Sequence, residues 1–364
     1  CRNYHPSPTA REVMARVRCL GAGLVGSYVA QVLADRGHQV ELFDLSIPDR
    51  LCSHPNITIR VGDVMSVMEE FRLEPMPIVV NMLPGGFGHF VTTLLSDTPT
   101  TIVDLSFCAI EPSVNDARAR ESGCRILWDT GIAPGLSNLL LAEAHRQLGI
   151  LSMGVVRVGG NPSEPDDGWS YMAPFSPSDV IEEYTRPSRV IREGEVVALP
   201  ALSERHLIHV EGKGEMEAFL TDGLRSVLNT IPAHDLAEYT VRWPGHIDKF
   251  LKLSDSGELD VHGLLNEWAF DGKRSEFTWL EVAAESKDGE MRWVVSDEGA
   301  EDGSSMARTT GLVTIACVEL LAENRELLPA GVHPPEALPA RATSTIIEWM
   351  RENGVTIEGP DIET

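Results

Sequence analysis

The chain has 364 residues, more than one hydrophobic core usually organises, so two domains are expected, one of them discontinuous. Its 55 acidic against 30 basic residues give a formal net charge of −25, which argues against nucleic acid or an anionic membrane as partner. At 43% hydrophobic and 23% charged residues it has an ordinary globular composition, with no uninterrupted apolar run of bilayer length.

The first twelve residues show no apolar stretch ending in a cleavage site, so no secretory signal is expected, the location defaults to the cytoplasm, and the segment before Val13 reads as a lead-in without a role. Residues 17–45 then read as strand, glycine turn, helix and strand. Val25, Val29, Val32 and Leu33 form the stripe that packs on a sheet, and Gly37 ends the helix. Further short β-rich runs lie at 57–61, 78–80, 101–105 and 125–128, separated by helical segments near 63–72, 86–95 and 113–122. Six strands alternating with helices predict an α/β fold with a Rossmann-type doubly wound parallel sheet.

After Asp129 the texture changes. An apolar helix spans 137–148, followed by strands broken by clusters such as Gly159-Gly160-Asn161-Pro162. Residues 277–284 and 291–297 read as a hairpin with Asp288-Gly289 at its turn. A lone two-stranded ribbon needs a cover, which makes this hairpin an expected oligomer surface for a homodimer or homotetramer. Residues 311–321 return to helical spacing, 329–339 read as a proline-rich connector, and 343–351 as a last amphipathic helix. The expected organisation is a dinucleotide-binding domain over 13–135, completed by 306–364, and a mixed α/β substrate-binding and oligomerisation domain over 136–305.

The turn Gly21-Ala22-Gly23-Leu24-Val25-Gly26 sits between strand and helix, and Asp44 ends the next strand. Gly21 permits the tight turn, Gly23 lets the backbone approach a pyrophosphate, and Gly26 lets helix and strand pack closely, while the amides around Leu24 and Val25 at the helix start face the phosphates. Asp44 would bond the adenosine ribose, and its charge favours NAD over a 2′-phosphorylated cofactor unless Arg50 folds inward. Asp63 reaches toward the adenine. The loop with Asn81, Leu83 and Pro84 lies toward the nicotinamide, and Asp104, Ser106 and the stretch 129–135 complete one ring of loops at the carboxyl ends of the strands. The six cysteines include no C-x-x-C pair and read mostly as buried thiols of a reducing compartment; the eleven histidines show no close ligand spacing, so no metal is expected.

Val103-Asp104-Leu105-Ser106-Phe107 and Trp128-Asp129-Thr130-Gly131-Ile132-Ala133-Pro134-Gly135 resemble the saccharopine dehydrogenase superfamily, in particular its lysine 6-dehydrogenase branch, as do segments 173–187, 217–225 and 242–246. Ala133 departs from saccharopine-forming reductases, which typically carry an acid there, and Thr130 departs from the Cys of many lysine dehydrogenases. The resemblance implies oxidation of the lysine ε-amine to an iminium with NAD⁺ as acceptor, hydrolysis to allysine and ammonia, and closure to the cyclic imine. Such chemistry needs a carboxylate near a cationic amine, a proton acceptor and a basic clamp for the α-carboxylate.

Asp129 and Asp222 are the candidate carboxylates, His246 the candidate proton relay, Arg186, Arg225 and Arg308 the candidate clamps, and Phe107 and Thr221 further candidate substrate contacts. Each has a structural alternative: Asp129 and Asp222 as helix caps, Arg225 as a surface pair, Arg186 and His246 as members of ion pairs. Saccharopine, ornithine or another amine as substrate, and an NAD-binding regulator without turnover, stay open as alternatives.

Overall fold

The structure, a computed structural model, describes residues 14–362; the lead-in before Val13 lies outside them. The first sheet is built from β1 (Arg16–Leu20), β2 (Gln39–Asp44), β3 (Ile57–Val61), β4 (Ile78–Asn81), β5 (Thr101–Asp104) and β6 (Arg125–Trp128), connected through α1 (Leu24–Asp35), α2 (Met68–Leu73), α3 (Gly85–Leu95) and α4 (Asp116–Ser122). All of β4 and β5 is buried, as expected for parallel strands covered on both faces.

From α5 (Leu136–Leu148) the chain enters the second domain, with β7 (Leu151–Pro162), α6 (Pro177–Thr185), β8 (Ser188–Arg192), β9 (Glu195–Leu199), β10 (His206–Val210), β11 (Gly214–Leu220) and α7 (Val227–Thr230). Then come β12 (Ala233–Arg242), α8 (His246–Ser256), α9 (Val261–Glu267), β13 (Glu276–Ser286) and β14 (Gly289–Asp297). The chain closes with α10 (Ser305–Glu323), β15 (Gly331–His333), α11 (Ala340–Glu352) and β16 (Thr356–Glu358).

The first sheet has the order β15-β6-β5-β4-β1-β2-β3, every pairing parallel. The chain winds outward in both directions from β1 and β4, so the crevice between their carboxyl ends is the topological switch point where α/β sheets bind ligands. The seventh strand, β15, lies inside the stretch read as a proline-rich connector. Its three residues pair with Arg125 to Leu127 although prolines flank them, too short a run to show a period in sequence.

The second sheet is mixed. Its path is β10-β11-β12-β7-β13-β14-β16, with β8 also pairing β12 and β9 pairing β8. Only β12 and β7 run parallel in it. Three expectations are corrected here. The hairpin β13–β14 is no lone ribbon: β7 pairs one side of it and β16 the other, so the reason for reading an oligomer surface there falls away. Its connection has Lys287 and Asp288 between the paired Ser286 and Gly289, placing Gly289 at the strand start rather than in the turn. Gly159-Gly160-Asn161-Pro162 does not break a strand either; β7 runs through it.

α10 starts at Ser305, six residues before the expected helix, and the Ser304 side chain caps it by accepting from the Ala307 amide. By length and hydropathy this helix qualifies as a membrane span, yet 78% of its apolar window is buried within the fold. It packs on α1 and on β13 and β14, joining both domains in one hydrophobic core. The last strand, β16, returns to the second sheet, so the segment from 306 onward serves both domains and not the first alone.

Candidate active site

One cleft of about 770 Å³ opens at the switch point and is walled by both domains. The glycine turn forms its outer end. Gly21 has φ +102°, and a Cβ there would lie 2.7 Å from the Met82 carbonyl oxygen, so the turn and the loop after β4 are in backbone contact. A Cβ on Gly26 would lie 2.1 Å from the Gly21 carbonyl oxygen, whereas one on Gly23 would meet nothing within 4 Å. Gly21 and Gly26 therefore build the turn, and Gly23 leaves an open cradle in the cleft wall at the start of α1, where a phosphate group fits.

Asp44 closes the turn: its carboxylate accepts from the amides of Ala22 and Leu45, each at 2.5 Å. It lines the cleft with Gly21, Gly23, Leu24, Val25, Gly26, Asp63, Leu83 and Pro84, all anticipated at a dinucleotide site. Arg50 points back to Gln31 on α1. Three other anticipated contacts lie behind the wall. Asn81 donates to Gly88 O and Thr92 Oγ1, and the buried Asp104 accepts from the Ser106 amide at 2.8 Å and the Ser106 hydroxyl at 2.6 Å. Asn81, Asp104 and Ser106 thus fix the loops after β4 and β5, consuming the polar atoms that were expected to touch the cofactor.

The inner end joins the loops after β5 and β6 to the second domain. Asp129 reaches the cleft and accepts from Arg225 Nε at 2.7 Å. Both residues have left-handed backbone, φ 55° and 51°, a conformation that costs energy for a side chain larger than glycine. Burial raises the Asp129 carboxyl, Arg225 opposes that, and the result is about 6. Arg225 is fully buried, donates to Cys108 O at 2.6 Å and stands over the rings of Phe107 and Trp128. It is a bridge between domains, neither a surface pair nor an open clamp. Nor does Asp129 cap a helix: α5 begins after Gly135, whose amide is bonded by Asn138.

Asp222 lines the cleft but its carboxylate receives Arg189 Nε at 2.9 Å, Arg189 Nη2 at 3.1 Å and the Arg189 amide at 3.1 Å, with Arg186 Nε at 3.3 Å. It is no helix cap, since α7 starts at Val227. Arg189, unnoticed in sequence, also pairs with Glu111 of the first domain. Arg186 stands over the Phe107 ring at 4.6 Å, and its three nitrogens have no hydrogen-bond partner among the described residues. Phe107 and Thr221 line the cleft.

Two expected residues lie away from the cleft wall. His246 lies outside the cleft wall in a cluster with Trp169, Tyr171, Tyr184 and Trp268; burial and the nearby Arg242 push its pKa down to about 3, so it stays neutral and cannot relay protons near pH 7. Arg308 is bound to Asp297 and Asp302. In their place the cleft wall carries Asp179, Glu183, Glu238 and Arg242. Burial lifts these carboxyls to about 6, 8 and 7 respectively. Glu183 and Arg242 fall within segments that carried the family resemblance. Glu238 had one signal, an acid in the otherwise β-rich run of β12.

A parallel sheet with a glycine cradle at its switch point, facing an acid-lined mixed sheet, defines a two-domain scaffold of the Rossmann type. Residues 131–355 match the saccharopine dehydrogenase C-terminal domain, and the chain belongs to the saccharopine dehydrogenase family. It is similar to the mitochondrial alpha-aminoadipic semialdehyde synthase of Rattus norvegicus, 22% identical over 301 residues, 73% of this chain and 30% of that protein. A shorter stretch of 58 residues, 16% of each chain, is 41% identical to a 3-beta-hydroxysteroid dehydrogenase of Mycolicibacterium neoaurum. The chain thus spans less than a third of the length of either curated relative. In fold it is similar to the L-Glu-forming saccharopine dehydrogenase of Saccharomyces cerevisiae, with a TM-score of 0.75 at 14% identity over 95% of this chain and 100% of that one. It is also similar to the homospermidine synthase of Legionella pneumophila solved with NAD, with a TM-score of 0.67 at 12% identity over 96% and 92% of the two chains.

Proposed function

We propose that the chain is an NAD-dependent amine oxidoreductase, and that it oxidises the ε-amino carbon of L-lysine, yielding allysine, ammonia and NADH. The observation that carries this reading is the placement of Glu183 and Glu238 in the same cleft as the glycine cradle. A cationic amine drawn to those carboxylates would lie in the cleft that holds the cofactor.

Gly23 and the first turn of α1 would hold the pyrophosphate, and Asp44 the adenosine ribose, where its negative charge disfavours a 2′-phosphate. Bound there, NAD⁺ supplies the two-electron acceptor. The protein's own residues supply the rest. Asp129 and Arg225 fix the domains around the cleft, Leu83, Pro84 and Phe107 shape the floor, and the acids of the second domain attract and deprotonate the amine. Arg186, ion-paired with Asp222 at 3.3 Å and stacked on Phe107 just behind the cleft wall, is the guanidinium nearest to serve an α-carboxylate, and would have to leave Asp222 to do so; Arg225 and Arg308 are committed elsewhere.

The test is NADH formation followed with L-lysine, ornithine, saccharopine and a simple diamine. Lysine is expected to give the highest kcat/KM; activity with another amine and none with lysine would overturn the choice. One observation favours that second reading: among the described residues the cleft wall carries a single guanidinium, Arg242, against several acids, which suits a substrate richer in amines than in carboxylates. Binding of NAD⁺ by calorimetry without oxidation of any amine would instead point to a regulator.

A further inference from the structure

Side chains alternate across a strand, so Leu236, Glu238, Thr240 and Arg242 share one face of β12, and the last three line the cleft. Glu238 is held by one oxygen only. Its Oε2 accepts from Thr221 Oγ1 at 2.6 Å and from the Gly223 amide at 3.2 Å, while Oε1 meets no donor among the described residues. Gly223 is what admits the group, since a Cβ there would lie 2.6 Å from the Glu238 carboxyl carbon. Thr240 Oγ1 is hydrogen-bonded to Thr221 Oγ1 at 2.8 Å and steadies that donor.

The other charged groups around this carboxyl are differently engaged. Glu183, on α6, makes no side-chain hydrogen bond among the described residues and repels Glu238 electrostatically. Arg242 donates to Tyr184 Oη at 3.0 Å, Val241 O at 2.9 Å and Tyr171 Oη at 3.4 Å. Asp222 is saturated by Arg189, and Asp129, though its Oδ1 meets no donor among the described residues, is ion-paired through Oδ2 with the buried Arg225, whose positive charge makes it the weaker base. A proton acceptor needs an anchored carboxylate with one oxygen open to the substrate, and Glu238 has that arrangement.

We infer that Oε1 of Glu238, and not Asp129, removes the proton from the substrate ammonium. An N–H bond of the ammonium breaks, an O–H bond forms on Oε1, and the electron pair stays on nitrogen, leaving the neutral amine that oxidation requires. Glu183, which lines the same cleft, opposes a second negative charge on Glu238 and so helps hold a proton on the pair until a cationic amine enters and displaces it. The assignment rests on the amine-oxidation reading above.

The test compares wild type, E238Q, E183Q and D129N, all as full chains, with NAD⁺ affinity as the control for folding. E238Q is expected to lower kcat by about 100-fold or more, and its residual rate should climb as pH approaches about 10, where the amine sheds its proton unaided. A second readout needs no turnover: L-lysine is titrated calorimetrically near neutral pH, with and without NAD⁺, in two buffers of different ionisation enthalpy. Wild type and D129N should release protons on binding; E238Q should release markedly fewer. Turnover in E238Q within threefold of wild type, or an undiminished release of protons, overturns the assignment and leaves amine oxidation standing. Proton release that E238Q diminishes, without oxidation of any amine, overturns the oxidoreductase reading and leaves Glu238 as the acceptor.

Discussion

Gly23 and Gly26 lie three residues apart and carry opposite burdens. Gly23 has ordinary extended backbone, φ −65° and ψ −164°, and open space where its side chain would be. G23V should therefore fold with a melting temperature close to wild type and lose dinucleotide affinity on the order of 100-fold, about 2.7 kcal/mol by calorimetry. At Gly26 the added carbon meets backbone, so G26V should also lose stability, by about 1–3 kcal/mol or more in urea unfolding. Equal stability losses in the two variants would contradict this division. The pair Asp129 and Arg225 supports another prediction: D129N leaves a buried guanidinium without its counter-charge and should cost about 3–5 kcal/mol in the same unfolding measurement. In sequence the three glycines and Asp44 are legible because their roles depend on neighbours within one βαβ unit. Asp129 is legible only as an acid at a strand end, since its partner comes from Arg225, far along the chain, and periodicity carries no trace of that pairing.

At the scale of elements, β12 and α6 concentrate the unusual electrostatics. Glu183 and Glu238 are raised to about 8 and 7 by burial, above the ordinary value for an exposed glutamate. A carboxyl raised in the folded state contributes stability below its unfolded pKa, and that contribution is lost as pH rises through the folded value. Between about pH 5 and 8 the ligand-free protein should therefore lose stability through this pair, and the double variant E183Q/E238Q should show a flatter profile of melting temperature against pH over that window. Identical profiles would argue against the raised values. Six of the seven strands of the first sheet were legible because buried parallel strands announce themselves as apolar runs. The acids of β12 were not, because an acid inside a β-rich run is indistinguishable in sequence from one on a solvent face. His246 misled for the converse reason: its residue type suits proton transfer at neutral pH, but Trp169, Tyr171 and Trp268 enclose it, and enclosure, not type, sets its charge.

For the molecule as a whole, a net charge of −25 acts at long range on any ligand approaching the cleft. Raising ionic strength from about 0.01 to 0.15 M shortens the screening length from about 30 to 8 Å, so repulsion of an anionic dinucleotide and attraction of a cationic amine should both weaken. The KM for NAD⁺ is expected to fall with salt and that for lysine to rise; movement of both in one direction would show that the local cleft outweighs the global field. A Rossmann-type parallel sheet beside a second, mixed sheet was foreseen, whereas the sharing of α10 between cores and the return of β16 to the second sheet were not, because both depend on contacts distant in sequence.

The late strands have a consequence for how the chain is made. Gly331 to His333 pair back onto Arg125 to Leu127, and Thr356 to Glu358 pair onto Val294 to Ser296. As the polypeptide leaves the ribosome, β6 and β14 stay at the edges of their sheets until β15 and β16 emerge to cover them. Synthesis from the amino end thus cannot finish one domain before starting the other, and a nascent chain stalled just before Gly331 leaves β6 and β14 unpaired on one side, open to chaperones and to its neighbours on the same messenger.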